Sequence, residues 1–501
     1  MLKKQSRRAF TKKLSLLSIF GFLNSCASKI PGPNSTLITS EDDICSLSMT
    51  DQLLKIRQGH LTAHNLITSY LKKVNLHLLS SKSKNILFTD HQSILLSMQS
   101  YDELQLKSEN QSLHGCVINI SDNIPVADQP LTYGSKSLEK NISKQTAKII
   151  SYLKNKGALI GAKTNLDEFT FGAVGYNESY GHMLNPYNQS YTSGGACGGA
   201  AASVAQGQCS FAIGTDASGA VRIPAAVCGI YGFKASLGIL TDDIYKMVPT
   251  KESLGLMSRS LKDIDFIYNL LRDSPHQKTT DSKIKLCFFT STLNLVSKDI
   301  KSDFFKKLDL LRRNNIVIEE VNVPEESKAY HVGRIITFYE QNKNIEKLLT
   351  NLYGSEQNVG KSKQRIQKYL QRRLNIAGQI SEKEYKKILT DRSKLNLKID
   401  SIFKKYDAII LPTIGDIPPE IEYLINTKNA YSSKVEQFKR PCELAGVLGL
   451  PSLTIPTGIF SETKLPSSIQ LIGQINKDAE FLQMCNSIDR IIGQYNKPSF
   501  L

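Results

Sequence analysis

The sequence lacks cysteine pairs of the kind that bind metal ions or build a disulfide framework. Its nine cysteines are scattered along 501 residues, and none of them forms a CxxC pair or a Cys/His cluster. This pattern excludes the common zinc-binding modules, and the low density of cysteine excludes a small disulfide-rich fold. We therefore expect neither a metal ion nor a cofactor.

Long apolar runs are also lacking after the first thirty residues, so no segment of the body is expected to span a bilayer. Hydrophobic residues make up 41% of the chain and charged residues 22%, which is ordinary for a soluble globular protein. The sequence shows no internal repeats and no linker that would split the body. These features predict a soluble body that buries a substantial core.

The formal net charge of +17 has two interpretations. It could attract the protein to anionic surfaces, or it could reflect a Lys- and Asn-rich composition spread over solvated faces. Basic residues concentrate in 361–374, KSKQRIQKYLQRRL, for which a helix is predicted. Because this run lacks repeated aromatic side chains on which bases could stack, nucleic-acid binding is not expected.

The first residues combine a basic stretch with an apolar run over 14–23, a layout typical of a bacterial secretory signal and too short for a comfortable transmembrane helix. Residues 6–12, SRRAFTK, are similar to the twin-arginine export motif. Residues 23–26, LNSC, resemble a lipobox, although Asn24 is unusual there. In a lipobox, the cysteine, here Cys26, becomes the lipidated first residue.

The N-terminal pattern predicts an export signal over 1–26, a short linker over 27–45 and a single domain over 46–501. The protein would then be exported to the periplasmic or cell-surface side and held to a bacterial membrane by its N-terminal lipid. Stable attachment would need several acyl chains. The alternative is an uncleaved basic, apolar tail on a cytoplasmic protein.

Periodicity predicts helices over 46–78, with a break at Gly59 and an N-cap at Thr62. A strand over 115–120 and a helix over 145–156 lead to another strand over 158–162. Further predicted strands and helices follow: strands at 284–289, 407–411, 452–455 and 468–472, and mostly helical charged segments at 300–314 and 331–402. Strands that alternate with helices indicate an α/β fold.

Small residues dominate 192–234, TSGGACGGAAASVAQGQCSFAIGTDASGAVRIPAAVCGIYGFK. Glycine, alanine and serine permit close backbone approach and, for glycine, positive φ angles. Loops of this kind often direct backbone N–H groups at an oxyanion or a phosphate.

This segment resembles the amidase signature, a specific motif of an enzyme family that includes amidases, fatty-acid amide hydrolases and the A subunits of aminoacyl-tRNA amidotransferases. Residues 122–124, DNI, and 160–169, IGAKTNLDEF, are similar to other family motifs. So are four C-terminal segments: 412–413, 444–446, 450–452 and 470–473. The resemblance runs from about residue 46 to the end and implies one α/β domain with a mixed central sheet between helical layers.

The family resemblance implies acyl transfer from an amide to a serine nucleophile. A second serine at a cis peptide bond relays the proton, a neutral lysine is the base, and backbone N–H groups form the oxyanion hole. In this sequence the lysine position is Ser121, the relay position Ala196 and the nucleophile position Ala220. The relay-to-nucleophile distance of 24 residues (220 − 196) is the family's own, so the loss does not result from a misplaced gap.

All three reactive groups are therefore missing. The methyl group of Ala220 cannot attack a carbonyl, and the Ser121 hydroxyl cannot replace a lysine base. Removing the nucleophile of a comparable serine hydrolase lowers turnover on the order of a millionfold. Asp216 and Arg222 stand where the family has the residues flanking the nucleophile, and the backbone of Ala217, Ser218, Gly219 and Ala220 is expected to keep the oxyanion hole.

Two residues could substitute for the lost nucleophile. Cys197 occupies the second serine position of the family's GGSSGG stretch, and a thiolate there would be competent if a base lowered its pKa. Ser218 lies two residues before Ala220. The simpler interpretation is that both are small residues in a crowded turn, because neither Lys163 nor His182, the nearest in sequence, is an obvious activating base.

The leading hypothesis is a pseudoenzyme: an exported lipoprotein of amidase fold that keeps a pocket for a small amide or acyl ligand, or for a protein partner. The alternative is an active amidohydrolase with a substituted nucleophile such as Cys197. An amidotransferase A-type chain that works on misacylated tRNA is less consistent with the sequence, since an export signal and a cytosolic tRNA reaction are incompatible.

Overall fold

The computed structural model describes residues 41–80, 82–103, 111–240, 243–272, 283–427 and 433–493. These residues belong to one unit, Ile38–Leu501. The predicted export signal, Cys26 and most of the predicted linker lie outside the described residues. None of the helices in these ranges combines the length and the apolarity that crossing a bilayer requires.

Eleven strands of the described chain form one mixed sheet. Their bounds are β1 (Ile86–Phe88), β2 (Val117–Ser121), β3 (Leu159–Thr164), β4 (Phe211–Asp216), β5 (Tyr231–Lys234), β6 (Ser253–Ser258), β7 (Lys285–Phe289), β8 (Val317–Val321), β9 (Ala408–Pro412), β10 (Ser452–Ile459) and β11 (Pro466–Ile472). Their spatial order is β1-β3-β2-β4-β6-β5-β10-β11-β9-β7-β8. Every predicted strand lies in this sheet.

Apart from the edge strand β1, which pairs antiparallel with β3, strand pairing is parallel toward both ends of the sheet and antiparallel in the middle. β2 pairs in parallel with β3 and β4, and β7 pairs in parallel with β8 and β9. Between these groups, β4, β6, β5, β10, β11 and β9 pair antiparallel. The predicted mixed α/β architecture is confirmed.

Helices flank this sheet along most of the chain. Their bounds are α1 (Glu41–Ser46), α2 (Met49–Arg57), α3 (Ala63–Ser80), α4 (His91–Glu103), α5 (Lys148–Asn155), α6 (Gly198–Ala205), α7 (Arg222–Val227), α8 (Leu261–Arg272), α9 (Thr290–Leu293), α10 (Lys298–Arg313), α11 (Ala329–Tyr353), α12 (Glu356–Lys363), α13 (Lys368–Ala377), α14 (Glu382–Phe403), α15 (Ile421–Asn426), α16 (Ser433–Lys439), α17 (Glu443–Val447) and α18 (Asp478–Ile492). Short 3-10 turns occupy Lys136–Leu138, Glu168–Thr170, Pro324–Lys328 and Arg440–Cys442.

Two hydrophobic cores lie on the two faces of the sheet, because successive strand residues point to opposite sides. Ile118 and Ile120 of β2 and Phe211 of β4 belong to the larger core. Val117 and Ala212, on the same strands, belong to the smaller core. Burial on both faces explains why β2 and β4 consist entirely of buried residues and place their carboxyl ends inside the protein.

The predicted break in the first helical segment is confirmed. α2 ends at Arg57 and α3 begins at Ala63, with Gly59 at φ +73°. The Thr62 hydroxyl accepts a hydrogen bond from the backbone N–H of Asn65 at 3.1 Å, which is the geometry of an N-cap.

The single helix predicted over the basic run 361–374 is wrong. α12 ends at Lys363 and α13 begins at Lys368. At the break, the backbone N–H of Gln367 donates to Glu168 at 3.0 Å, and its side chain donates to Asn177 at 3.0 Å. Tertiary hydrogen bonds that local periodicity does not encode therefore interrupt the helix.

Candidate functional site

The three positions of the expected reactive residues lie at the ends of central elements. Ser121 is the last residue of β2 and is fully buried. Ala196 is buried and follows a cis peptide bond from Gly195, as the family resemblance implied for the relay serine. Ala220 lies in the loop between β4 and α7 and is only partly buried. We call these three residues the catalytic floor.

Cys197 connects the catalytic floor. Its backbone N–H donates to the carbonyl of Ala220 at 3.0 Å, and its thiol lies beside the hydroxyl of Ser121. The structure thus brings together all three positions that the sequence singled out. None of the three carries the lysine, the relay serine or the nucleophilic serine that the family reaction requires there.

The Cys197 thiol is poorly suited to act as a nucleophile. It is fully buried, with its Sγ 3.6 Å from the carbonyl oxygen of Thr215. Burial raises its pKa to about 12, even though hydrogen bonds with Ser121 and Thr215 act in the opposite direction. The nearby carboxylates of Asp216 and Glu252 raise the pKa further, so the thiolate is strongly disfavoured at neutral pH.

Asp216 and Arg222 form a fully buried ion pair directly behind the Ala220 loop. The guanidinium donates twice to the carboxylate, each time at 3.0 Å, and once to Gln470 at 3.1 Å. Burial alone would raise the pKa of Asp216, but the charge of Arg222 and its hydrogen bonds hold that pKa at about 2. We call Asp216 and Arg222 the ion-pair frame.

Asp216 also fixes the backbone of the loop. Its carboxylate accepts from the N–H groups of Gly219 at 2.7 Å, Val221 at 3.2 Å and Arg222 at 3.3 Å. Gly219 has φ +105°, and a Cβ there would lie 2.6 Å from Ile223, so glycine is required. The oxyanion-hole role of Ala217, Ser218, Gly219 and Ala220 stays a prediction.

A cleft opens over this loop. The space inside it that a water-sized sphere can reach is about 40 Å³, and the empty space counted together with open solvent is about 590 Å³. Its lining includes loop residues on one side and residues from α11, α13, α16 and α17 on the other: Ala217, Ser218, Ala220, Glu252, Arg334, Phe338, Arg373, Lys439 and Glu443. Ala220 therefore lies at the surface of the cleft.

Ser218 lies in a buried polar network that the sequence analysis missed. Lys251 donates to the Ser218 hydroxyl at 2.8 Å and to Thr337 at 3.0 Å, and it forms an ion pair with Glu443. The Ser218 hydroxyl in turn donates to Glu443 at 3.2 Å. The sequence signal that could have pointed to Glu443 was its position directly before the Leu-Ala-Gly segment of the family resemblance. No sequence signal pointed to Lys251.

The two bases considered from the sequence do not line the cleft. Lys163 is fully buried and pairs with Asp122 at 3.3 Å. Burial lowers the pKa of Lys163, while Asp122 acts in the opposite direction. His182 stacks on Tyr176 with ring centroids 4.4 Å apart. In the ranges described by the structure, no cluster of histidine, cysteine and acidic residues could hold a metal ion.

Comparison with known proteins identifies the family. The Amidase family profile matches residues 65–482. The A-type chain of the glutamyl-tRNA(Gln) amidotransferase of Sulfurisphaera tokodaii is 27% identical over 420 residues, covering 78% of this chain and 88% of that protein. The indoleacetamide hydrolase of Pseudomonas syringae pv. syringae is 28% identical over 410 residues, covering 79% and 89%.

Solved structures share the fold. A crystal structure of an amidase superposes with a TM-score of 0.80 at 22% identity, covering 89% of this chain and all of that one. The substrate complex of 6-aminohexanoate cyclic dimer hydrolase superposes with a TM-score of 0.78 at 17% identity, covering 91% of this chain and 100% of the hydrolase. With the family profile extending over most of its length, this chain belongs to the amidase family.

Proposed function

We propose that this protein is an amidase-family pseudoenzyme that binds a small amide or acyl ligand in the cleft without cleaving it. The observation that carries the proposal is that the residue at the cleft surface is Ala220, which has only a methyl side chain where the family reaction needs a serine oxygen. Ser121 and Ala196 lack the groups that would activate such an oxygen. An acyl-enzyme cannot form on a side chain with no nucleophilic atom.

The intact surroundings of the catalytic floor support binding rather than loss of all function. The ion-pair frame holds the Ala220 loop through a paired and hydrogen-bonded carboxylate. The cleft combines apolar surface with a few convergent polar groups, which is typical of small-molecule sites.

The test combines binding and turnover on the full chain. Indole-3-acetamide is a suitable first ligand because a relative is named an indoleacetamide hydrolase, and glutamine adds a small polar amide. We expect calorimetry to detect binding while a coupled assay detects no ammonia above background. Ala220→Phe should fill the cleft and abolish binding, whereas Leu79→Phe, at a residue 71% exposed, should not. Ammonia release that Ala220→Phe abolishes would reject the proposal.

One observation favours a second candidate, an amidohydrolase that uses Ser218. The Ser218 hydroxyl donates to Glu443 at 3.2 Å, so the carboxylate could take the proton as the oxygen attacks an amide carbon. Glu443 would then protonate the leaving amine, and water would release the acid. This candidate ranks second because the Lys251 ammonium donates to the same oxygen and thereby reduces its nucleophilicity.

A fluorophosphonate probe separates the two candidates. Under the first, mass spectrometry finds no adduct on Ser218 and Ser218→Ala changes no rate. Under the second, Ser218 carries the adduct, and Ser218→Ala abolishes both labelling and turnover. Thiol-blocking reagents test the Cys197 alternative in the same assay.

The proposal includes export and lipid attachment through Cys26, motivated by the N-terminal sequence pattern. Expression in a bacterial host should place the full chain in the membrane fraction, and metabolic labelling with a palmitate analogue should tag it. Cys26→Ser should remove the label. A wild-type protein that stays unlabelled in the cytosol would contradict this part and leave the cleft proposal intact.

A further inference from the structure

Leucine side chains are exposed on two adjacent helices, α3 and α4. Five of them are between 43% and 71% exposed, and we call them the leucine surface: Leu76, Leu78, Leu79, Leu95 and Leu96. They are five of the twelve large hydrophobic side chains that the described chain exposes, and the other seven are scattered over seven different segments. Single exposed leucines are ordinary, whereas a cluster marks a contact surface.

The two helices form one layer, and the leucine surface is its outer side. α3 packs against α4. Both helices bury side chains in the smaller core: Ile67 and Leu71 from α3, and Ile94 and Met98 from α4. Because a helix that buries one side in a core turns its other side to solvent, the exposed leucines of the two helices face outward together. On α3, Leu76 and Leu79 are also surface neighbours at i, i+3 spacing.

The charge beside the leucine surface is positive. Residues 63–85 contain four lysines and no acidic residue. Two of these lysines, Lys82 and Lys84, are exposed and follow Leu79 within five residues. The acidic residue in the connection to α4, Asp90, caps that helix by accepting from the N–H of Ser93 at 3.1 Å and from its hydroxyl at 2.6 Å. Within α4, the first acidic residue is Asp102 in its last turn.

This combination fits the surface of an anionic bilayer. Leucines on one face of a helix bury into the boundary between headgroups and acyl chains, and neighbouring lysines are attracted to anionic headgroups. The formal net charge of +17 acts in the same direction.

The chain also connects this layer to the proposed site of lipid attachment. α1 packs against α3, and fourteen residues, 27–40, separate Cys26 from α1. Such a segment spans at most about 50 Å when fully extended. A lipid at Cys26 would therefore keep α3 near the bilayer and raise the effective concentration of lipid around it.

We infer that the leucine surface, with Lys82 and Lys84 beside it, binds an anionic lipid bilayer and fixes the orientation of the protein on the membrane. The inference rests on the export part of the proposed function and adds a second membrane contact to the lipid. It is independent of what the cleft binds.

The experiment uses the absence of tryptophan from the chain, because a single introduced tryptophan then reports only its own surroundings. Leu79→Trp is made in the full chain and mixed with vesicles of phosphatidylglycerol and phosphatidylcholine. We expect its fluorescence to shift to shorter wavelength and to be quenched by brominated lipids. With vesicles of phosphatidylcholine alone, half of the shift should require about tenfold more lipid, since the lysines find no anionic headgroups.

Leu397→Trp is the matched control. Leu397 on α14 is 72% exposed, against 71% for Leu79, and it too lies among exposed lysines, Lys394 and Lys398. Its tryptophan should show neither the shift nor the quenching, which separates insertion of the leucine surface from general attraction of a basic protein. Leu96→Trp should respond as Leu79→Trp does.

The outcomes are distinguishable. Absence of a response in Leu79→Trp, or an equal response in Leu397→Trp, overturns the inference. So does a shift that appears without vesicles and grows with protein concentration, because a second copy would then cover the surface. Equal lipid requirements for the two kinds of vesicle overturn the role of the lysines. A responsive Leu79→Trp in a protein without label at Cys26 contradicts lipid attachment and leaves this inference standing.

Discussion

The catalytic floor and the ion-pair frame both contribute residues to the region around the loop between β4 and α7, but they differ in which side chains of the family they retain. Ser121, Ala196 and Ala220 are small residues that stand where the family reaction needs reactive groups. Asp216 and Arg222 keep a two-fold hydrogen-bonded pair in full burial. The difference teaches that the reactive atoms of this fold can be removed separately from the groups that hold its loop in shape.

The physical reason is a difference in what each deletion leaves behind. When a serine in a tight turn is replaced by alanine, every buried charge keeps its partner. Removing one member of a buried ion pair leaves the other charge uncompensated, and the penalty is about 3–5 kcal/mol. Folding therefore constrains the ion-pair frame whether or not the protein catalyses a reaction.

The largest expected effect concerns Cys197, the cysteine next to the catalytic floor. With a pKa of about 12, its thiolate population at pH 8 is on the order of a thousandfold below that of an ordinary thiol. Iodoacetamide should therefore fail to modify it in the native protein and should modify it readily in urea, as measured by peptide mass spectrometry. Rapid native labelling of Cys197 would mean that its thiol is reactive despite its burial.

The next effect tests the ion-pair frame. Asp216→Asn should lower the free energy of unfolding by about 3–5 kcal/mol, because Arg222 stays buried without its partner. Urea denaturation measures the loss. The matched control is Glu382→Gln, which breaks an exposed pair with Lys386 at 2.7 Å and should shift the midpoint far less. Equal shifts for the two variants would show that the frame is not structural.

This loss should also depend on pH. Asp216 has its folded pKa lowered from the ordinary value of 3.8 to about 2. Its contribution is therefore fully present above pH 3.8 and disappears as the pH falls through 2. The free energies of unfolding of the wild type and of Asp216→Asn should therefore converge as the pH falls from 3.8 through 2.

A smaller effect on the free energy of unfolding is expected at Lys439, which lines the cleft above the catalytic floor. Its folded pKa of about 8 lies below the ordinary 10.5, so the unfolded chain binds the extra proton between these values. Wild-type stability should therefore rise with pH across that window. At pH 7, Lys439→Met should be more stable than wild type by about 1–2 kcal/mol, and the gap should close toward pH 10. Urea denaturation at several pH values measures the difference in stability between the two proteins. A difference that grows as the pH rises would contradict a lowered pKa of Lys439.

The last prediction is that a single substitution in the catalytic floor leaves turnover unchanged. Ala220→Ser alone should leave ammonia release from indole-3-acetamide at background, because Ser121 and Ala196 still supply neither base nor relay and such residues act as a unit. A coupled ammonia assay measures it, with Ser121→Lys/Ala196→Ser/Ala220→Ser as the comparison. Turnover by the single variant would show that another group has replaced the relay.

The strands and the first helices were predictable because their periodicity is local. In α10, buried Ile300, Phe304, Leu308 and Leu311 recur at helical spacing, and such patterns can be read directly from the sequence. The catalytic floor was predictable for another reason: the resemblance to the amidase family implies which positions meet. The break before α13 was not predictable, because Gln367 donates to Glu168, a partner 199 residues away.

The sequence by itself determined the family, the α/β architecture and the identity of the three residues that lack the reactive groups of the amidase reaction, because these depend on motifs within short stretches of chain. Only the tertiary structure decided what surrounds them. Lys251 and Glu443 are 192 residues apart and pair beside Ser218, and three cations from three helices line one cleft. The charge of a site is a sum over residues that only folding brings within a few ångströms, so no local pattern contains it.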